Sequence, residues 1–263
     1  MARPSFRRDS VLAAALATGL ACGLTACNKR QVVQGACRPV NGDDICVWEE
    51  KSGNTVLAFG AAIPLRAIEN APADAPMAWP PVAAAEVPLP DAVRSATGFD
   101  NLTVFWEAHG HPPGPFLTPH FDFHFNTATA ADLLAIDCAD STKPPAPPSG
   151  YELPDITISQ LGTLVGLCVP HMGMHALPST EVNKTTPFEK AMVVGYYNRR
   201  PIFMEPMIAR ATLLERRGFD LEVPDVPGRP AGTRYPTRFR ADYDTTAQAY
   251  RFVFSDFRES TVQ

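Results

Sequence analysis

Apolar and polar residues alternate over short stretches along most of this chain, and turn-forming residues separate the stretches. "CVWEEKSGNTVLAFGAAIPL" predicts two strands around a "KSGN" turn. "NLTVFWEAHGH" and "HFDFHFN" are two further alternating segments, and "TATAADLLAID" after them is the best short helix, with a Leu/Leu/Ile face behind a threonine start. "AMVVGYYNRRPIFMEPMI" predicts a hairpin turning at Asn198 and Arg199, and "RYPTRFRADYDTTAQAYRFVFSDF" another strand pair. The expected fold is mainly β, an antiparallel barrel or sandwich with one or two short helices, and an α+β arrangement is the alternative.

Composition sharpens this picture at the connections. The chain holds 27 prolines, which break long helices and favour short strands joined by structured loops. "APADAPMAWPPVAAAEVPLP" reads as an extended surface connection and "KPPAPPSG" as a rigid spacer. No repeat of fixed period is present.

The amino terminus departs from the strand pattern. Arg3, Arg7 and Arg8 precede an apolar, Ala/Gly-rich run that ends in "LTAC", the shape of a secretory signal with a lipoprotein-type cleavage site before Cys27. Arg7 and Arg8 also resemble a twin-arginine export signal. The expected organisation is a signal peptide over 1–26, a polar tether over 27–45, and one mainly-β domain with Pro-rich loops over 46–263. Lipidated Cys27 would anchor the protein to the membrane, facing the periplasm or the cell exterior. Removing residues 1–26 takes away three arginines and one aspartate and moves the formal net charge from −5 to −7. An acidic, unpatterned surface argues against a nucleic-acid partner.

Of the six cysteines, Cys22 leaves with the signal and Cys27 would be acylated. An even set of four remains, and in an exported protein the simplest reading is two disulfides. Cys37 with Cys46 and Cys138 with Cys168 is the favoured of three connectivities. No CxxC occurs, which speaks against a thiolate zinc site or a redox motif.

All six histidines fall between His109 and His175, four of them within "HGHPPGPFLTPHFDFHF". On a strand His120, Asp122 and His124 share one face, and Phe121, Phe123 and Phe125 share the other. His120 and His124 then stand about 13 Å apart, too far to hold one ion, whereas residues two positions apart, separated by about 6.6 Å, can converge on a metal. A partner strand must therefore contribute. In "TVFWEAHGH" the residues Glu107, His109 and His111 fall on one face, and a hairpin with His111 opposite His120 pairs His109 with Asp122 and Glu107 with His124. Other even shifts keep the faces and re-pair the residues.

"CVPHMGMHAL" adds His171 and His175 around a turn at Gly173, and a Cys138–Cys168 bridge would bring His175 toward the ladder. Glu205, in "PIFMEPMI", reads equally as a further ligand or base, or as a strand-end acid paired with Arg199 or Arg210.

The candidate metal ligands are thus His109, His111, His120, His124 and His175, with Asp122 and Glu107 as the candidate acid and base. The donor set suits a divalent transition metal, zinc first, with iron, copper or nickel also compatible. There is no HExxH, GxSxG or phosphate-binding glycine loop.

"HGHPPGPFLTPHFDFHF", "CVPHMGMHAL" and "FEKAMVVGYYNRRPIFMEPMI" together resemble an uncharacterised family of exported bacterial proteins, typified by a secreted Thermus thermophilus protein, over roughly Val47 to Arg210. The resemblance implies a largely β fold and places His109, His111, His120, Asp122, His124 and His175 in the family's characteristic segments. It implies no reaction. Asn126, where such proteins tend to have an aromatic residue, and the extra His171 depart from the pattern.

Three roles fit these residues: an anchored lipoprotein that binds a metal or a small molecule without chemistry, a metal-dependent enzyme acting on a small substrate, and a structural envelope protein whose histidines fix a hairpin. A second copy of the chain is a further compatible partner. An open coordination position separates the catalytic role from the closed structural one.

Overall fold

The computed structural model describes residues 29–260. The signal peptide and Cys27 lie outside the described residues. In chain order the strands are β1 (Arg30–Val40), β2 (Asp43–Ser52), β3 (Thr55–Pro64), β4 (Ala85–Pro88), β5 (Asn101–Glu107), β6 (His120–Asn126), β7 (Tyr151–Glu152) and β8 (Ile156–Ile158). They continue with β9 (Gly162–Leu164), β10 (Met174–Pro178), β11 (Lys190–Tyr197), β12 (Arg200–Ala209), β13 (Phe219–Glu222), β14 (Arg234–Asp244) and β15 (Ala249–Glu259).

These strands form a six-stranded sheet in the order β1-β2-β3-β15-β14-β13 and a seven-stranded sheet in the order β4-β5-β6-β12-β11-β10-β7; β8 and β9 pair separately. The two large sheets pack face to face. Phe123 and Phe125 of one meet Phe252 and Phe254 of the other at ring centroids 4.9 Å apart in each case, and Phe59 joins them at 6.1 Å from Phe125. The fold is therefore an antiparallel sandwich, and neither sheet closes into a barrel.

The sequence pattern holds where turn chemistry is strict. Asn198 and Arg199 both have positive φ, 46° and 64°, giving the two-residue loop that the right-handed twist of β11 and β12 favours. The helices are short, and three of them start directly after a proline, Pro64, Pro90 or Pro178. Five α-helices of four to seven residues are described, where one or two were expected. One of them, Ala130–Leu134, carries a reciprocal cap between Thr129 and Asp132.

The expected tether over 27–45 is a correction. Residues Arg30–Val40 form β1 and pair antiparallel with β2, Cys37 opposite Cys46. The missed signal is "NG": Asn41 and Gly42, at φ 51° and 87°, make the tight turn that folds β1 onto β2. Both disulfides form as read from the sequence, Cys37–Cys46 and Cys138–Cys168. They fit an exported protein in an oxidising compartment. Among the described residues no helix is long and apolar enough to cross a membrane.

The outer face of the seven-stranded sheet is not left to solvent. A second apolar cluster, with Phe116, Leu167, Leu177, Phe188 and Phe203, covers it. The histidine face of β6 lies beneath this cover.

Candidate metal centre

Strand alternation builds the first part of the site. Phe121, Phe123 and Phe125 enter the inter-sheet core, so His120, Asp122 and His124 point to the opposite face, where all three are buried. Asn126 continues that face and closes it with hydrogen bonds from its Nδ2 to Asn101 Oδ1 (2.8 Å) and Thr103 Oγ1 (2.9 Å).

The register of β5 against β6 differs from the expected one by four residues. Glu107 stands opposite His120, Phe105 opposite Asp122 and Thr103 opposite His124. An even shift keeps Glu107 on the polar face, but it moves His109 and His111 beyond the end of β5. The reason is Gly110. Its φ is +65°, and a Cβ there would lie 2.2 Å from the Phe116 carbonyl, so the chain folds tightly back on itself after Glu107.

His109 is left exposed and belongs to neither ligand group. His111 swings inward, because Phe116 is buried against Phe188 at 4.9 Å and the His111 N–H donates to the Phe116 carbonyl at 3.2 Å. His171 is also exposed, on a residue with φ 67°. His175 is delivered by β10: Gly173, at φ +103° and with Tyr196 O 2.7 Å from where its Cβ would stand, turns the chain into that strand.

The result is two adjacent groups of three. His111, His120 and Asp122 form one, and His124, His175 and Glu205 form the other; within each group the ligand-capable atoms lie within 4.8 Å of one another. His120 Nε2 is 3.3 Å from Asp122 Oδ1, His111 Nε2 is 3.9 Å from Asp122 Oδ2, and His124 Nε2 is 3.4 Å from Glu205 Oε2. Two donors bound to one zinc at about 2.05 Å in tetrahedral geometry stand about 3.3 Å apart. Glu205, one of two readings at the sequence level, is thus a member of the site. Arg210, its expected counter-ion, instead donates to the carbonyls of Ile68 and Glu69.

Backbone carbonyls orient three of the imidazoles. His111 Nδ1 contacts Pro112 O at 2.9 Å, His120 Nδ1 contacts Thr118 O at 2.7 Å, and His175 Nδ1 contacts Leu167 O at 3.0 Å. A carbonyl only accepts, so each Nδ1 carries the proton and each Nε2 offers a lone pair to the site.

Burial sets the charge states. Desolvation lowers the pKa of His111, lowers that of His120 well below its ordinary value, and brings His124 and His175 down to about 3. It also raises Glu205 to about 8 and Glu107 to about 7. Asp122 rises well above the usual carboxylate range through burial and the neighbouring Glu205 and Glu107. The close His–carboxylate contacts are therefore not ion pairs between charged partners. Neutral imidazoles are the ligand form of histidine, and protons occupy the carboxyl groups where no cation does.

The Asp122 and Glu205 carboxyls are close enough to act on each other's proton affinity, so the two groups abut. A cavity of about 60 Å³ reaches both, touching Asp122 and His111 of one and His175 of the other; Glu107 also lines it, and Trp79, Leu167 and Met172 make its apolar wall. No family model, curated protein or solved structure matches this chain.

Proposed function

We propose that the protein is an exported metal-binding protein whose buried histidine and carboxylate ladder holds divalent transition metal, zinc first, in two neighbouring half-sites. His111, His120 and Asp122 hold one ion, and His124, His175 and Glu205 hold the other. One observation carries the reading: His120 Nε2, Asp122 Oδ1 and Glu205 Oε2 are fully buried and have no hydrogen-bond partner. Nε2 of His120 and Oδ1 of Asp122 lie 3.3 Å apart and make no hydrogen bond with each other. Burying such atoms without a partner costs about 1–3 kcal/mol each, and a cation between them removes the cost.

Each half-site supplies three protein ligands, the number that leaves a fourth position free in catalytic zinc sites. The cavity of about 60 Å³ that reaches both half-sites has room for a bound water, and metal-dependent chemistry is the second reading. A bound ion there would supply Lewis acidity and a more acidic bound water. Glu107, at the cavity wall and outside both ligand groups, is then the candidate base. His109 has no part in either reading. Export and anchoring through Cys27 belong to the same proposal, supported by the signal-like amino terminus and the two disulfides.

The test is elemental analysis of protein purified through its own export route. Two equivalents are expected in the wild type and one each in His120→Ala and His124→Ala. A metal-free wild type that takes up no zinc on dialysis sinks the proposal.

A further inference from the structure

A second cavity, of about 620 Å³, lies beyond Phe203, the residue whose ring stacks on His124 at 4.3 Å. Its volume falls within the roughly 300–1,000 Å³ typical of small-molecule sites. Its construction is polarised. Phe99, Val194, Phe203, Met204 and Tyr235 form a buried apolar floor, whereas Thr127, Arg200, Gly228 and Pro230 stand exposed at the mouth.

No acidic residue lines the cavity, but two arginines do. Arg229 is partly engaged: its Nη2 donates to Asp225 Oδ1 at 2.8 Å and its guanidinium lies 3.7 Å from the centre of the Tyr235 ring, while its buried Nε and Nη1 have no hydrogen-bond partner. Arg200 differs, since its side chain forms no hydrogen bond or ion pair among the described residues. It follows the tight turn at Asn198 and Arg199, so the hairpin end places its charge at the rim. A guanidinium free at the edge of an apolar pocket matches a ligand with one anionic head and an apolar body.

We infer that this cavity binds a long-chain carboxylate, with the acyl chain on the floor formed by Phe99, Val194, Met204 and Tyr235 and the carboxylate at Arg200. The inference uses none of the six metal-site ligands, so it stands or falls separately from the metal reading.

Calorimetric titration of the purified protein with palmitate, 1-hexadecanol and butyrate tests it. Palmitate is expected to bind at least about tenfold more tightly than the alcohol, which lacks the charged head, and butyrate, which lacks the chain, is expected not to bind. Arg200→Glu should weaken palmitate at least about tenfold and leave the alcohol within about twofold. Ala128→Trp, which fills the cavity from its wall, should weaken both. Arg200 is exposed at a hairpin end, so its variant keeps the test decisive if Ala128→Trp fails to fold. Palmitate binding should be unchanged in protein stripped of metal by a chelator. Absence of palmitate binding, equal affinity for acid and alcohol, or binding indifferent to Arg200→Glu would each overturn the inference.

Discussion

Phe121, Phe123 and Phe125 on one face of β6 are 1%, 0% and 0% exposed, and His120, Asp122 and His124 on the other are 0%, 5% and 2% exposed. Water is excluded equally from both, yet the energetic consequences are opposite. The phenylalanines meet other rings and contribute roughly 1.5–3 kcal/mol each through burial. The polar side chains give up hydration, and Asp122 and His120 recover no hydrogen bond for the atoms that face each other. A chain needing only stability would have no use for the second face. The strand uses its apolar face to hold a costly polar face in place, and that cost is what a bound cation can offset.

The largest expected effect breaks the supporting face. Phe123→Ala removes a ring wedged between Phe121 and Phe252 and should destabilise the metal-free protein by about 3–5 kcal/mol, read from urea unfolding. Glu205→Gln, on the other face, should do the reverse: metal-free and above about pH 8, it should be more stable than wild type by about 1–3 kcal/mol, because a buried amide replaces a buried charge. The same variant should lose one equivalent of zinc. If Glu205→Gln destabilises the metal-free protein as Phe123→Ala does, the contrast between the faces is wrong.

The division of β6 into two faces was legible in "HFDFHF" because a strand has period two and the phenylalanines declare which side is the core. The same spacing argument separated His120 from His124, and the structure does assign them to different groups. The pairing partners were not legible. Even register shifts preserve every face, so nothing in the pattern distinguished His111 opposite His120 from Glu107 opposite His120. What decided it was the fold-back at Gly110, a close approach of backbone to backbone that a sequence does not display. Glu205 was ambiguous for a similar reason, since the positions of Arg199 and Arg210 depend on tertiary packing. The β1–β2 hairpin, by contrast, carries its own signal in the sequence, because Asn41-Gly42 is a recognised hairpin turn.

The titration behaviour sharpens the comparison at smaller amplitude. Glu205 and Glu107 have folded-state pKa values raised from 4.5 to about 8 and about 7, so their neutral forms suit the fold. Their contribution to metal-free stability is fully present below about pH 4.5 and is lost as pH rises through those values. His124 and His175, lowered from 6.5 to about 3, contribute stability above about pH 6.5 that is lost as pH falls toward 3. Metal binding needs the carboxylates ionised, so the rise in Tm on adding zinc should grow between about pH 5 and about pH 8, with protons released on binding. At a thousandfold excess over Kd the stabilisation per ion is about 4 kcal/mol. A zinc-induced shift in Tm that does not change across this range would show that the buried carboxylates are not ligands.

The smallest effect separates this structure from the register expected of the sequence. With His111 opposite His120, His109 would stand beside Asp122 in the middle of the ladder, and its removal would strip a ligand. In the observed register it is exposed, beyond the end of β5, and in neither ligand group. His109→Ala should therefore change stability by no more than about 0.5 kcal/mol and leave the zinc content of the wild type intact. His111→Ala, two residues on and only partly exposed, should lose the ion held with His120 and Asp122. The pair makes a demanding control, because both side chains are imidazoles on one short loop and differ mainly in which side of Gly110 they occupy. Loss of metal from His109→Ala would restore the longer hairpin; loss from His111→Ala alone requires the fold-back.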